Sequence, residues 1–181
     1  MENNFVNKLL ITISLVSFVL FFGVSISRSV IFYDLYSLNG TTGVLELRSD
    51  FNTAVQYRSM YHFFALSSYS SVSYLIFVVS IFGIAFINLK KIKKLGWFFM
   101  ILVLVFLFSP FESYIIYRDI VVSQEIFFKG LNDINSSMLM DYMKLKSDSR
   151  ISLLSGLSFL SQITVFILLV FKPLDEIEKQ S

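Results

Sequence analysis

Glu112 is the residue best placed to do chemistry inside a membrane. It lies two residues after Pro110, and it is the only acidic residue well placed to lie within one of the long apolar stretches of the chain. Pro110 removes one backbone hydrogen bond and is expected to kink a helix. A carboxylate beside a kink can bind a cation or carry a proton. The alternative is that Glu112 reaches the outer interface or pairs with Arg28 or Arg58, because charges near a span end commonly extend to water.

His62 is the second candidate for chemistry, because an imidazole can bind a metal or respond to pH near neutrality. It is the only histidine, and the chain has no cysteine to complete a metal site. We therefore expect a partly buried, hydrogen-bonded histidine on a packed helix face, with no metal and no cofactor.

The composition excludes several classes of protein. Hydrophobic residues make up 55% and charged residues 15% of the 181 residues, whereas soluble domains are about one-quarter charged. The absence of cysteine excludes disulfide frameworks, iron–sulfur sites and thiol catalysis. A formal net charge of +2 gives no reason to expect a nucleic-acid partner. No phosphate-binding loop, nucleophile elbow or internal repeat is present, so the sequence predicts a non-enzymatic integral membrane protein.

Four segments are long and apolar enough to cross a bilayer as helices, which takes about 20 residues. None contains a lysine or an arginine, and in chain order they are residues 9–27, 72–89, 95–117 and 151–171. Because backbone groups in hydrocarbon must satisfy their own hydrogen bonds, we expect an all-α membrane protein. Residues 1–181 would form one domain of four transmembrane helices. Ser25-Ile26-Ser27 resembles a signal-peptide cleavage site, but the basic region before it is weak and the apolar run is long, so we expect the first span to be retained.

The orientation is predicted from the loop between the second and third spans. Lys90, Lys91, Lys93 and Lys94 crowd into five positions there, and short basic loops stay on the cytoplasmic side. Both termini are then cytoplasmic, in a plasma or inner membrane. All nine tyrosines lie in or beside the other two loops, as expected for an outer interface. The same lysines could bind anionic lipid head groups.

The first outer segment, residues 28–71, contains two predicted features. Asn39-Gly40 between apolar stretches predicts a short β-hairpin, with a plain loop as the alternative. Apolar residues then recur at helical spacing from Phe51 to Leu66, and no proline or glycine occurs between Asp50 and Phe82. We expect one long helix that continues from this segment through the second span.

The second outer segment, residues 118–150, carries a heptad-like apolar stripe. The stripe consists of Phe127, Leu131, Ile134, Met138, Tyr142 and Leu145. Gly130 and Asn132-Asp133 weaken it and are candidates for a break. We expect the stripe to pack on the helix after Asp50, so that the bundle extends beyond the outer face of the membrane.

Small and polar residues in the second and fourth spans are candidates for helix packing. Ser80 and Gly83 lie in the second span, and Ser155, Gly156 and Gln162 lie in the fourth. In lipid such residues let helices approach closely and form hydrogen bonds across the contact. The alternative, a polar substrate track, depends on Gln162, the only large polar group near the middle of a span.

The function that these observations favour is that of a structural or accessory subunit. Its partners would be membrane lipids and other membrane or exoplasmic proteins, or further copies of itself. The alternative is a small transporter or channel component that uses Glu112.

Cysteine labelling tests the predicted orientation. We expect an impermeant maleimide to label Ser37→Cys and Ser137→Cys in intact cells but not Lys91→Cys, because only the lysine loop is cytoplasmic. The chain has no native cysteine, so each variant carries a single thiol. All three should react after the membrane is dissolved. Labelling of Lys91→Cys in intact cells, or protection of both other sites, would reverse the orientation.

Overall fold

The computed structural model describes residues 5–38, 45–48, 53–89, 96–129 and 136–171. In chain order the elements are α1 (Phe5–Leu35), β1 (Tyr36–Leu38), β2 (Leu45–Leu47), α2 (Thr53–Ile87), α3 (Gly96–Lys129), α4 (Ser136–Ser147) and α5 (Ser149–Phe171). Four of these helices, α1, α2, α3 and α5, are long and apolar enough to cross a membrane. This confirms the four predicted helices, which are compatible with a multi-pass membrane protein.

Three of the four helices are longer than a bilayer requires. α1, α2 and α3 contain 31, 35 and 34 residues. At 1.5 Å per residue these are helices of roughly 46–52 Å, against a hydrocarbon core of about 30 Å. α2 is unbroken between Tyr61 and Ser73, as predicted, and α3 continues through Pro110. Residues 50–52, where the long helix was expected to begin, lie outside the described residues.

Several hydroxyl groups within the apolar helices are satisfied by the helix that carries them. Ser67, Ser80 and Thr164 each donate a hydrogen bond to the carbonyl oxygen four residues earlier, at 3.0, 2.7 and 2.9 Å. Such a bond removes the cost of placing a hydroxyl where water is absent. Serine-rich helices can therefore still be long membrane-compatible helices.

The two short strands follow α1 directly. They pair antiparallel, with Tyr36 opposite Leu47 and Leu38 opposite Leu45. The Arg48 backbone N–H donates to the carbonyl oxygen of Leu35 at 3.1 Å, which continues the pairing to the end of α1. The predicted Asn39-Gly40 turn lies outside the described residues.

The chain divides into two compact units, which are described separately. The first unit comprises Met1–Leu20, Val72–Ser113 and Leu153–Ser181, and the second comprises Phe21–Ser71 and Tyr114–Ser152. Each of the four long helices contributes a segment to each unit.

The first unit is packed around aromatic rings and two buried asparagines. Phe18 stacks on Phe166 with ring centroids 4.7 Å apart and lies 5.9 Å from the ring of Phe77. Asn7 in α1 and Asn88 just after α2 are both buried, and Asn88 Nδ2 donates to Asn7 Oδ1 at 3.0 Å. The asparagine pair fixes the start of α1 against the end of α2.

The second unit is packed around a cluster that includes part of the predicted stripe. The buried members of this cluster are Phe63, Phe64, Val122, Ile126 and Tyr142. Met138 packs against it, and the Tyr142 ring centroid lies 5.5 Å from that of Phe64 in α2. Leu131 and Ile134 lie outside the described residues. α3 ends at Lys129 and α4 begins at Ser136, so the residues considered for a break fall between these two helices.

Two glycines expected at helix contacts have different surroundings. A Cβ atom built on Gly83 would lie 3.3 Å from Leu10 Cδ1, so the missing side chain lets α1 approach α2 within the first unit. Gly156 is exposed, and a Cβ atom there would meet nothing within 4 Å. The close helix contact expected at Gly156 is therefore not seen among the described residues.

Leucine substitutions at these glycines test the close contact. We expect Gly83→Leu to reduce the free energy of unfolding by about 1–3 kcal/mol, because the larger side chain overpacks the contact with Leu10. Gly156→Leu should be neutral or stabilising by up to about 1 kcal/mol, because it removes a glycine from a helix and meets open space. Thermal unfolding in detergent, followed by circular dichroism, measures both. Equal losses in the two variants would contradict the packing described for Gly83.

Candidate functional site

In the first unit, α3 and α5 bring three polar side chains together. The Ser158 hydroxyl donates a hydrogen bond to Glu112 Oε1. Gln162 Nε2 lies 3.3 Å from the same Glu112 oxygen and 3.2 Å from Ser158 Oγ. Ser158 and Gln162 are four residues apart, so they share one face of α5. The two α5 side chains thus supply neutral hydrogen-bond donors to a single carboxylate oxygen.

Glu112 is half-buried, whereas Ser158 and Gln162 are buried. The sequence suggested that Glu112 reaches the outer interface or pairs with Arg28 or Arg58. Its carboxylate lies against α5, and Arg28 pairs with Asp119 in the second unit.

The amide of Gln162 has one satisfied end and one unsatisfied end. Its Nε2 makes the two contacts described above, whereas Oε1 is buried and accepts no hydrogen bond from the described residues. A buried acceptor without a donor costs about 1–3 kcal/mol. Gln162 was expected to mediate helix packing, with a polar substrate track as the alternative, and it is part of the Glu112 cluster.

The remaining predicted residues have other surroundings. The Ser80 hydroxyl bonds within its own helix, and Ser155 is half-buried. His62 is exposed and lies edge-on to Tyr61 with ring centroids 6.2 Å apart, so the predicted partial burial is wrong. The lysines expected to set topology or to bind lipid, Lys90, Lys91, Lys93 and Lys94, lie outside the described residues.

The second unit contains a charged cluster that sequence reasoning missed. Asp119 is 1% exposed. Its Oδ2 accepts a hydrogen bond from Arg28 Nη2 at 2.7 Å, and its Oδ1 accepts one from the Tyr142 hydroxyl at 2.6 Å. Lys146 Nζ lies 3.6 Å from Oδ1. One carboxylate on α3 is therefore compensated by groups from α1 and α4.

One aromatic ring lies near each cation of this cluster. The Arg28 guanidinium carbon lies 5.1 Å from the centroid of the Phe63 ring, and Lys146 Nζ lies 5.6 Å from that of Tyr142. A cation over a ring face is stabilised by about 0.5 kcal/mol at an exposed site and by about 2 kcal/mol when it is desolvated. The cluster therefore joins the apolar core of the second unit to its charged groups.

Tyr142 remains protonated over the physiological pH range. Burial raises the pKa of its phenol well above the usual value, and the nearby Asp119 carboxylate raises it further. The neutral phenol is the donor that Asp119 requires. Its contribution to stability is complete below the ordinary tyrosine pKa of about 10 and is lost as the pH rises through the higher pKa of the folded state.

The sequence carried partial signals of this cluster. Arg28 directly follows a predicted span, where a positive charge is unexpected on the outer side, and Tyr142 belongs to the predicted stripe. Asp119 was assigned to an outer segment, where solvation would have satisfied it. Its partner Arg28 is 91 positions away in the chain, so spacing alone could not join them.

Among the described residues, no three His, Cys, Asp or Glu side chains lie close enough together to hold a metal ion. No family model, curated protein or solved structure matches this chain.

Removal of the Asp119 charge should destabilise the second unit. We expect Asp119→Asn to lower the free energy of unfolding by about 3–5 kcal/mol, because Arg28 keeps its charge without its carboxylate partner. Tyr142→Phe removes one hydrogen bond to a charged group and should cost about 1.5–3 kcal/mol. Asp141→Asn is the control, since Asp141 is exposed and lies in α4 next to Tyr142. Unfolding in detergent measures all three, and an Asp119→Asn variant as stable as the control would refute the role of the cluster.

Proposed function

We propose that this chain is a non-enzymatic multi-pass membrane protein that acts as a structural or accessory subunit. Its second unit would carry the surface that engages another membrane or exoplasmic protein. The observation that carries the proposal is an exposed aromatic side chain near the end of α3. Phe128 is 85% exposed, and the length of α3 supports a position beyond the hydrocarbon layer.

The length of α3 supports this placement. Trp97 and Phe128 lie near opposite ends of α3, about 46 Å apart along the helix at 1.5 Å per residue. The hydrocarbon core is only about 30 Å thick. With Trp97 at the lysine-loop interface, Phe128 extends beyond the lipid tails into the aqueous layer. A large exposed apolar side chain there suits a protein contact.

Neighbouring aromatic residues divide into two groups. Tyr33, Tyr69 and Tyr117 are exposed as well, but tyrosine suits the head-group layer because its ring is apolar and its hydroxyl is polar. Phe128 has no polar group, so the head-group layer does not satisfy it in the same way. Phe127 stands beside it, half-exposed, with its ring centroid 5.1 Å from that of Tyr61 in an edge-to-face contact. We therefore assign the partner contact to the end of α3 that carries the two phenylalanines.

The Asp119 cluster supports the same proposal because it holds the helices of the second unit in place before a partner binds. It bonds α1 and α4 to α3 inside the second unit, so a surface built on these helices is held in one arrangement before a partner binds. A preorganised surface loses less conformational entropy on binding. A partner can be a different protein or a second copy of this chain.

Purification from native membranes in a mild detergent tests the subunit function. We expect a stoichiometric protein partner to be retained, and Phe128→Ala to weaken retention by at least about tenfold, as for the aromatic residues that dominate interfaces. Phe106→Ala is the matched control, because Phe106 lies on the same helix and is 76% exposed in the first unit. A chain that purifies alone, or equal effects of the two variants, would refute the proposal.

The second candidate function is that of a small transporter or channel component. The position of Glu112 favours it, because the carboxylate lies against α5 with two neutral hydrogen-bond donors. An acid held within membrane-compatible helices can exchange a proton or accompany a cation.

Glu112→Gln separates the two functions. In a subunit, we expect stability to change by less than about 1 kcal/mol, because the amide oxygen can still accept the two hydrogen bonds, and partner retention should survive. Proteoliposomes containing the wild type should then show no ion or proton flux above empty vesicles. Flux in the wild type that disappears in a well-folded Glu112→Gln variant would establish the second function instead.

A further inference from the structure

We propose that Arg118 binds the phosphate of an anionic phospholipid at the membrane surface of the second unit. The inference goes beyond the proposed subunit function and does not depend on it. It rests on the placement of α3 across a bilayer, which the four apolar helices support. The lipid site would lie on the same helix as the partner contact at Phe128, but closer to the membrane.

Arg118 has no acidic partner within the described part of the chain. No hydrogen bond or ion pair with the described residues involves its guanidinium, and its buried Nε has no acceptor among them. A guanidinium carries five N–H donors and remains charged in proteins. Such donors are costly to leave unsatisfied once they are removed from water. An acceptor from outside the chain is therefore favoured.

Arg28 shows by contrast how an arginine of this unit is neutralised inside the protein. It directly follows the first predicted span, as Arg118 follows the third, and both side chains are half-buried. Arg28 Nη2 donates to Asp119 at 2.7 Å. Asp119 adjoins Arg118 in the chain, but its two oxygens bond to Arg28 and Tyr142. Glu125, the next acid along α3, is two turns away, about 10 Å along the helix.

The height of Arg118 along α3 matches a head-group layer. It lies 21 residues after Trp97, about 32 Å along the helix at 1.5 Å per residue, which is the far boundary of a hydrocarbon core about 30 Å thick. Tyr114 and Tyr117 precede it and are exposed, as expected for residues at this interface. Long basic side chains at such a position extend their charged ends to the head groups. The phosphate layer is therefore within reach of the guanidinium.

Phosphate is the acceptor that this position and this side chain favour. Two phosphate oxygens can accept parallel hydrogen bonds from one guanidinium, a geometry that an ammonium group cannot reproduce. An anionic lipid such as phosphatidylglycerol makes the pair electrically neutral in partly desolvated surroundings. The quaternary ammonium of phosphatidylcholine would add a second cation beside Arg118. We therefore expect a preference for the anionic head group.

The partner contact proposed at Phe128 lies too far along the helix to occupy this site. Phe128 follows Arg118 by ten residues in α3, about 15 Å farther from Trp97. An acidic side chain of a protein bound at Phe128 would have to enter the head-group layer to reach the guanidinium. Phospholipid is already present there in excess, so the lipid phosphate is the occupant that we assign.

Native mass spectrometry of the delipidated full-length chain in detergent tests the proposal. Phosphatidylglycerol and phosphatidylcholine with identical acyl chains are titrated separately. We expect one phosphatidylglycerol to bind with a Kd at least about tenfold below that of phosphatidylcholine, as for a hydrogen-bonded charge pair. Arg118→Gln should remove this preference. Arg118→Lys should retain part of it, because an ammonium keeps the charge but loses the paired donors.

Arg58→Gln is the matched control, because it removes the same charge from the same unit at a greater height. Arg58 is exposed and precedes Tyr61, whose ring meets that of Phe127 near the end of α3. Exposed charges more than about 10 Å apart are largely screened at physiological salt, so the lipid preference should be unchanged. Circular dichroism establishes that each variant is folded, and if Arg118→Gln misfolds, Arg118→Lys carries the test. Equal loss in the Arg58 and Arg118 variants, or no preference in the wild type, would overturn the proposal.

Two further measurements identify the source of the phosphate and separate this site from the subunit function. Soluble glycerol phosphate carries the same acceptor without acyl chains, so it should not displace phosphatidylglycerol at equal concentration; displacement would mean that the site takes a free anion and would overturn the lipid assignment. Phe128→Ala should leave the lipid preference intact, so the two proposals fail separately. Loss of the protein partner in Arg118→Gln, with lipid preference unchanged, would assign Arg118 to an acidic partner segment instead.

Discussion

Asp119 is 1% exposed, and a carboxylate in such a position is stable only if positive or hydrogen-bonding groups replace the water it has lost. That requirement organises the second unit. α1 must present Arg28, and α4 must present Tyr142 on the same side as Lys146. The apolar packing follows, because Tyr142 belongs to the same buried cluster as Phe64 and the Arg28 guanidinium lies over the Phe63 ring. Breaking one such buried pair costs more than most single apolar contacts, so the charged contacts select one packing of α4 from several that an apolar stripe would allow.

The polar groups of the first unit are also removed from water, but they obtain their hydrogen bonds in a different way. The hydroxyls of Ser80 and Thr164 bond to carbonyl oxygens of their own helices, and Asn7 and Asn88 pair with each other across α1 and the end of α2. Gly83 allows α1 to pack closely on α2 because it has no side chain, and Leu10 occupies the space next to its Cα. These are local solutions that leave helices apolar on the outside, as the lipid phase requires. Glu112 is the exception, because no local bond can satisfy a carboxylate and it has to obtain donors from α5.

The spanning helices could be predicted because hydrophobicity and length act along the chain. Four apolar segments predicted four helices, and the lack of proline or glycine from Asp50 to Phe82 predicted that α2 would be unbroken. The helix ends were less predictable, since α1 and α3 extend well beyond the apolar runs that identified them. The Asp119 cluster depends on contacts between residues 91 positions apart, and a single sequence contains no information on such pairs. Gln162 illustrates the same limit: its polarity singled it out, but only the packing of α3 on α5 shows that it faces Glu112. His62 was expected on a packed face because neighbouring apolar residues share its helical spacing, and its exposure shows that the pattern placed that face incorrectly.

The two acids differ in the partners that hold them. Asp119 has two cations and a phenol around it. Removing the carboxylate would leave the buried Arg28 charge without its partner, which is costly. Glu112 accepts hydrogen bonds from Ser158 and Gln162 on one face of α5, and these two donors are neutral. A carboxylate held by cations and a phenol from two other helices fixes the packing of both helices, whereas hydrogen bonds from one helix face fix only the contact between α3 and α5. On this physical ground we propose that the second unit, which the Asp119 cluster holds in one arrangement, carries the partner contact.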